Sequence, residues 1–212
     1  MSVAKSIAII TASTRKPRVG PDVAKYVKNI LDQEPLSTPA GTPVTLAEVD
    51  LATFNLPVLD EPMPGRNTTS EDHPHEHSRA WSREIKKHDA YVLVTPEYNY
   101  TIAGGVKNAI DYLLHEWTGK PVAIVTYGIA GGTFASEHTK HVLSMMKLRV
   151  AETLPQLDFG GSFGPEAGSA AGGKLSEESS KRWDEVKKAD IQKAFAEVRE
   201  LLDQEPPAAA SA

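Results

Sequence analysis

Cysteine is absent from the 212-residue chain. That excludes disulfides, thiolate catalysis, Cys-ligated zinc and iron–sulfur clusters together. Also lacking is any apolar run near the ~20 residues of a membrane span. The early stretch SIAIITAS is too short and too β-like for a signal peptide. No membrane association is expected, and the cytoplasm is the expected compartment. A basic stripe is missing as well: 23 Lys and Arg stand against 28 Asp and Glu, scattered, for a net charge of −5. Neutralising phosphates takes clustered cations, so no nucleic-acid partner is expected. What remains, 40% hydrophobic and 24% charged residues, is ordinary for a globular protein with one substantial core. Residues 1–203 read as a single domain and 204–212 as a disordered tail.

The chain alternates strand and helix patterns. Residues 6–13 form a β-branched buried strand, followed by the loop STRKPRVGP and a helix over about 22–31, with Pro21 at its start. A second strand spans 44–51. The irregular stretch 52–77 is long for a connection and hints at function or mobility. A short helix over 78–88 packs through Trp81 and Ile85. Residues 91–94 form a continuous apolar strand that breaks at Thr95-Pro96. Beyond that break the pattern predicts a helix with Ile102, Val106, Ala109, Ile110, Leu113 and Leu114 inward.

Strand 120–127 leads through a glycine loop to a helix over 133–147, with Phe134, Val142, Met145 and Met146 inward. A less regular strand covers 150–159 and a loose glycine-rich stretch 160–174. One helix over 176–202 is expected to bury Trp183, Val186, Ala194, Val198 and Leu201. Five such alternations predict a parallel α/β sheet of order 2-1-3-4-5 with helices on both faces. The loops after strands 1, 3 and 4 then share one sheet edge.

Those three loops are chemically distinctive. Thr11-Ala12-Ser13-Thr14-Arg15-Lys16-Pro17-Arg18 joins a strand to a helix N-terminus, which favours an anion. It lacks the glycines of dinucleotide and triphosphate loops, so it suits a single phosphate. Gly128 to Gly132 lets backbone approach a flat ligand, with Thr133 capping the next helix. With Pro96, Glu97, Tyr98 and Asn99 between them, the loops suggest a mononucleotide with a planar ring.

The chain resembles the NADPH-dependent FMN reductases of the flavodoxin-like superfamily, a group that includes quinone, azo-dye and chromate reductases. The resemblance rests on Ser13-Thr14-Arg15 with Arg18-Val19-Gly20-Pro21, on Thr95-Pro96-Glu97-Tyr98-Asn99, and on the run from Ala103 to Asp111. It extends from about Ile7 to Phe159. One departure is Ala12 where the family has glycine before the serine. The resemblance implies a flavodoxin-like three-layer α/β sandwich with FMN as cofactor and NAD(P)H as co-substrate. Ser13, Arg15 and Arg18 would hold the phosphate. Pro96, Glu97, Tyr98 and Asn99 would border the isoalloxazine, and Gly128, Gly131, Gly132 and Thr133 its pyrimidine edge. A homodimer or homotetramer is implied, with the helix after Asn99 at the interface and Tyr112, Leu113 and Trp117 as candidate contacts.

The implied reaction moves hydride from NAD(P)H through FMN to a quinone, FMN, an azo dye or a metal oxyanion. The cofactor carries the chemistry, so no side chain is assigned a catalytic role. A flavodoxin-type electron carrier is the competing reading, distinguished by its need for a reductase partner. His73, His75 and His77 alternate in a proline-rich loop, but no second ligand cluster stands at suitable spacing, and no metal site is expected. Gly160-Gly161-Ser162-Phe163-Gly164 matches a hydrolase elbow. The last histidine is His141, upstream of it, so that match is taken as accidental.

Overall fold

A computed structural model describes residues 3–68 and 71–206. The first strand, β1 (Lys5–Thr11), pairs in parallel on one side with β2 (Val44–Asp50) and on the other with β3 (Ala90–Tyr98). Beyond β3 lie β5 (Pro121–Gly128) and the short β6 (Arg149–Val150) and β7 (Gln156–Asp158), both paired with β5. The order β2-β1-β3-β5-β6 is the doubly wound flavodoxin-like arrangement expected. A two-residue strand, β4 (Thr101–Ile102), folds back antiparallel on β3.

Strand side chains alternate between two separate cores, as a period of two requires. Ile7, Ile9, Val92, Val94, Ala123 and Val125 face α1 (Gly20–Leu31), α6 (Glu177–Val186) and α7 (Lys188–Leu202). Ala8, Ile10, Tyr91, Leu93, Val122 and Ile124 face α2 (Glu76–Lys86), α3 (Gly104–Asp111) and α4 (Thr133–Met145). The three layers follow directly.

Several local expectations are corrected. The strand carrying Pro96 does not break there; it runs on to Tyr98. Because β1 pairs with β3 only as far as Val94, the missing proline N–H removes no β1 ladder bond. In α4 the buried stripe is Ala135, Ser136, Thr139 and Leu143, while Phe134 and Met145 are exposed. Val142 and Met146, expected inward, are partly buried against the core, but small and hydroxyl side chains make up most of the fully buried face. The stretch 160–174 contains a helix, α5 (Pro165–Ala171). The final helix is two, parted at Lys187, whose φ of −126° leaves helical geometry; Val186 is exposed at that joint. Tyr112, Leu113 and Trp117 are all core residues, so they are not interface contacts. From residue 207 onward the expected tail falls outside the described residues.

One cation is half-buried at the foot of this core. Lys120 Nζ donates to Tyr91 Oη at 3.0 Å and to the Ile85 carbonyl at 3.3 Å. Burial pulls its pKa from 10.5 down to about 8. The unfolded chain therefore binds more protons between those values, and stability rises with pH through that window. Urea midpoints are expected to climb from about pH 8 to about pH 10, and the climb should flatten in Lys120→Met.

Candidate functional site

At the carboxyl ends of β1, β3 and β5 lies a cleft of about 470 Å³, within the size range of small-molecule sites. It sits at the switch point between β1 and β3, where the doubly wound fold places ligands. Arg15, Arg18 and Val19 enter from the β1–α1 connection, Pro96, Glu97 and Tyr98 from β3, and Tyr127, Gly128 and Ile129 from β5. Phe159, Phe163 and one face of α5 close the far side.

Beneath the β1–α1 connection, buried Ser13 Oγ and Tyr127 Oη face each other, with no other hydrogen-bond partner among the described residues. Both hydroxyls converge on Gly20, where a Cβ would lie 2.0 Å from Ser13 Oγ and 2.6 Å from Tyr127 Oη. No side chain caps the N-terminus of α1 at Val19. A helix N-terminus with spare hydroxyl donors favours an anion.

The two arginines differ in what they can offer that anion. Arg18 is bound in a fork by Asp50, at 2.8 and 2.6 Å, and also donates to the Ser13 carbonyl at 2.7 Å. Its pKa is raised, chiefly by the bond to Asp50. Partial burial pushes the Asp50 carboxyl up, but the Arg18 guanidinium and the Ala52 N–H outweigh it and leave the carboxyl below its ordinary value. Arg18 thus reaches the cleft with its charge already matched. Arg15 donates only to neutral oxygens: Tyr98 Oη at 3.1 Å, the Pro17 carbonyl at 2.6 Å, and the carbonyls of Ala171 and Ala170. Among the described residues no carboxylate pairs with it.

On β3, Glu97 pairs with Ile102 and Tyr98 with Thr101, leaving Asn99 and Tyr100 as a two-residue turn with φ of 48° and 60°. Two successive left-handed residues suit a tight hairpin, and asparagine tolerates that region best after glycine. The Glu97 carboxylate accepts from the Ala135 N–H at 3.0 Å and so caps α4. Thr133, expected to cap that helix, instead donates to Gln156 Oε1 at 2.9 Å. Gly131 and Gly132 have φ of 85° and 80°, and the Gly131 carbonyl accepts from buried Thr126 Oγ1 at 2.9 Å.

Six of the expected site residues therefore line one cleft: Arg15, Arg18, Pro96, Glu97, Tyr98 and Gly128. Ser13 lies beneath it, and Asn99, Gly131, Gly132 and Thr133 shape the turns around it without lining it. Tyr127, Ile129, Phe159, Phe163 and α5 line it and were not singled out from the sequence. Tyr127 ends an apolar strand beside Gly128, which was the available signal. For α5 the surrounding glycines and the absence of large apolar side chains hid the helix.

A family model described as NADPH-dependent FMN reductase matches residues 6–158. An NAD(P)H-dependent FMN reductase from a Nectria species is 46% identical over 202 residues, covering 93% of this chain and 97% of the relative. An NAD(P)H-dependent FMN reductase from Schizosaccharomyces pombe is 37% identical over 158 residues, 74% of each chain. Among solved structures, a flavoenzyme NAD(P)H:(acceptor) oxidoreductase from Paracoccus denitrificans superimposes with a TM-score of 0.60 at 22% identity. That alignment spans 90% of this chain and 97% of the other, a likeness of fold.

Proposed function

The chain belongs to the NADPH-dependent FMN reductase family, and on that premise we propose that it holds FMN as a resident cofactor and uses NAD(P)H to reduce a quinone or similar small acceptor. Membership itself implies NAD(P)H and a flavin as substrate or cofactor. The reading that the flavin is retained is carried by one observation: Ser13 Oγ and Tyr127 Oη are buried facing each other, with no other hydrogen-bond partner among the described residues, at the foot of an uncapped helix N-terminus. A buried hydroxyl left unbonded costs about 1–3 kcal/mol. A phosphate accepting from Ser13 would offset that cost.

In this assignment Ser13, Arg15 and the N-terminus of α1 hold the phosphate. Arg18, tied to Asp50 and to the Ser13 carbonyl, keeps the loop in shape, its charge matched by Asp50. Val19, Ile129, Phe159 and Phe163 offer apolar surface to a planar ring, with Pro96, Glu97 and Tyr98 along one border and Gly128 along another, while Asn99, Gly131, Gly132 and Thr133 support the turns that carry them. When bound, the flavin supplies the two-electron chemistry, and the protein supplies orientation and charge. Glu97 is a positioning residue, committed to the α4 backbone. Because Tyr112, Leu113 and Trp117 are internal, a homodimer would have to use other groups near α3 and α4, such as exposed Met145.

The test is an absorbance titration of the purified protein with FMN, then anaerobic addition of NADH or NADPH, then a quinone. Expected are a perturbed flavin spectrum, bleaching by a nicotinamide, and recovery on adding the quinone. Protein that does not take up FMN, or bound flavin that neither nicotinamide bleaches, would overturn the proposal.

A further inference from the structure

The long connection between β2 and α2 takes no part in the cleft, yet its His73 and His75, with His77 in the first turn of α2, gather around Asp60 and Glu61. Asp60, Glu61 and His75 each bring one possible ligand atom to within 4.8 Å of the other two. Sequence spacing hides this, since Asp60 and Glu61 lie well upstream of the histidines and only the fold returns the chain to them.

The cluster is built rather than incidental. Asp60 Oδ1 is fixed by Tyr112 Oη at 2.9 Å and His77 Nε2 at 3.0 Å. Its Oδ2 lies 3.9 Å from His75 Nε2. Glu61 accepts from Ser78 Oγ through one oxygen. Its other oxygen, Oε2, is buried with no hydrogen-bond partner among the described residues, on a side chain only 1% exposed. His73 Nδ1 lies 3.7 Å from it, and neither ring nitrogen of buried His73 has a hydrogen-bond partner among the described residues either. That gap is too long for a hydrogen bond. Buried polar atoms left unsatisfied in this way call for a missing partner.

We propose that Asp60, Glu61 and His75 bind a divalent transition-metal ion such as Zn²⁺. Ligands of about 2.0–2.2 Å length hold their donor atoms roughly 3–4 Å apart, so small side-chain movements would close the set. His77 and Tyr112 orient Asp60 from behind, as second partners do in metal sites, while His73 backs Glu61. An imidazole among two carboxylates favours Zn²⁺, Co²⁺ or Ni²⁺ over Mg²⁺ or Ca²⁺, which take oxygen donors. The bound ion would pin the connection to the start of α2 and, through Tyr112, to the end of α3.

Full-length protein, chelator-treated and loaded with FMN if it retains the flavin, is titrated calorimetrically with ZnCl₂ and, in a separate arm, with MgCl₂. Saturable binding of one Zn²⁺ per chain is expected, without comparable Mg²⁺ binding, together with a rise in melting temperature. His75→Ala and Asp60→Asn should each weaken Zn²⁺ binding by about 100-fold, and Tyr112→Phe by about tenfold. His141→Ala, an exposed histidine elsewhere, should leave it unchanged. Circular dichroism without metal checks that each variant folds. Absence of saturable Zn²⁺ binding, or binding equal in native, His75→Ala and Asp60→Asn proteins, would overturn the proposal.

Discussion

Gly20→Ala is expected to weaken FMN binding by about 100-fold or more, roughly 2.7 kcal/mol. Helix propensity alone would favour alanine at the start of α1 by about 1 kcal/mol, so the predicted sign depends on space. The added Cβ would lie 2.0 Å from Ser13 Oγ, 3.0 Å from Ser13 Cβ and 2.6 Å from Tyr127 Oη. Ser13 is 1% exposed and Tyr127 3% exposed, so neither can swing into solvent to make room. Relief requires moving the loop proposed to present the phosphate donors. Flavin fluorescence titration reads the affinity, and a thermal melt reads the stability. A double variant, Ser13→Ala with Gly20→Ala, separates the two consequences. Removing Oγ relieves the shortest contact but leaves Tyr127 Oη at 2.6 Å, so it should recover part of the melting temperature while leaving flavin binding weak. Native-like flavin affinity in Gly20→Ala would refute the steric argument, and native-like affinity in the double variant would remove Ser13 from the phosphate site.

The sheet was legible because each central strand is an uninterrupted apolar run and each crossover carries a helical stripe. Tyr91 to Val94 could be buried on both faces only in the middle of a parallel sheet, and there it lies, between β1 and β5. The stripe of α4 was misread because its inward residues include Ser136 and Thr139, whose polarity speaks against burial in sequence. Helix α5 was missed for a related reason. Glycines interrupt and flank it, and its small side chains draw no apolar stripe, yet Ala167 and Ala170 are buried in the same core as Phe159 and Trp183.

The site was legible to the extent that function sits in local motifs. Ser13-Thr14-Arg15 and Thr95 to Asn99 announce a loop at a strand end, and the fold brings both to one cleft. What sequence spacing does not carry is pairing across the chain. Arg15 and Arg18 look equivalent until Asp50, at the end of a different strand, is seen to hold one and not the other. Glu97 looks like a free carboxylate at the ring's border until the Ala135 N–H claims it.

Such long-range dependence makes Trp183 the residue whose loss should cost most in stability. It is fully buried, with its ring 5.3 Å from Tyr26 and 5.5 Å from Phe159, both measured between centroids. Its Nε1 donates to the Asp158 carbonyl at 2.7 Å, which also accepts from Arg182 at 2.8 Å. Arg182 in turn bonds Glu166 on α5 at 2.7 Å. The indole therefore ties α6 to β7 and to the cleft wall as well as filling the core. Trp183→Ala is expected to cost about 3–5 kcal/mol, which for a chain of this size lowers the melting temperature by about 10 °C. Trp183→Phe keeps a ring but loses the donor. Since Arg182 still serves the Asp158 carbonyl, that variant should lose about 1–2 kcal/mol. Urea unfolding followed by far-ultraviolet circular dichroism measures both. Because Phe159 and α5 form the cleft's far side, Trp183→Ala should also release flavin more readily at temperatures where the chain is still folded. A variant as stable as the native chain would mean that the indole's contacts are replaceable by relaxation of α5 and α6.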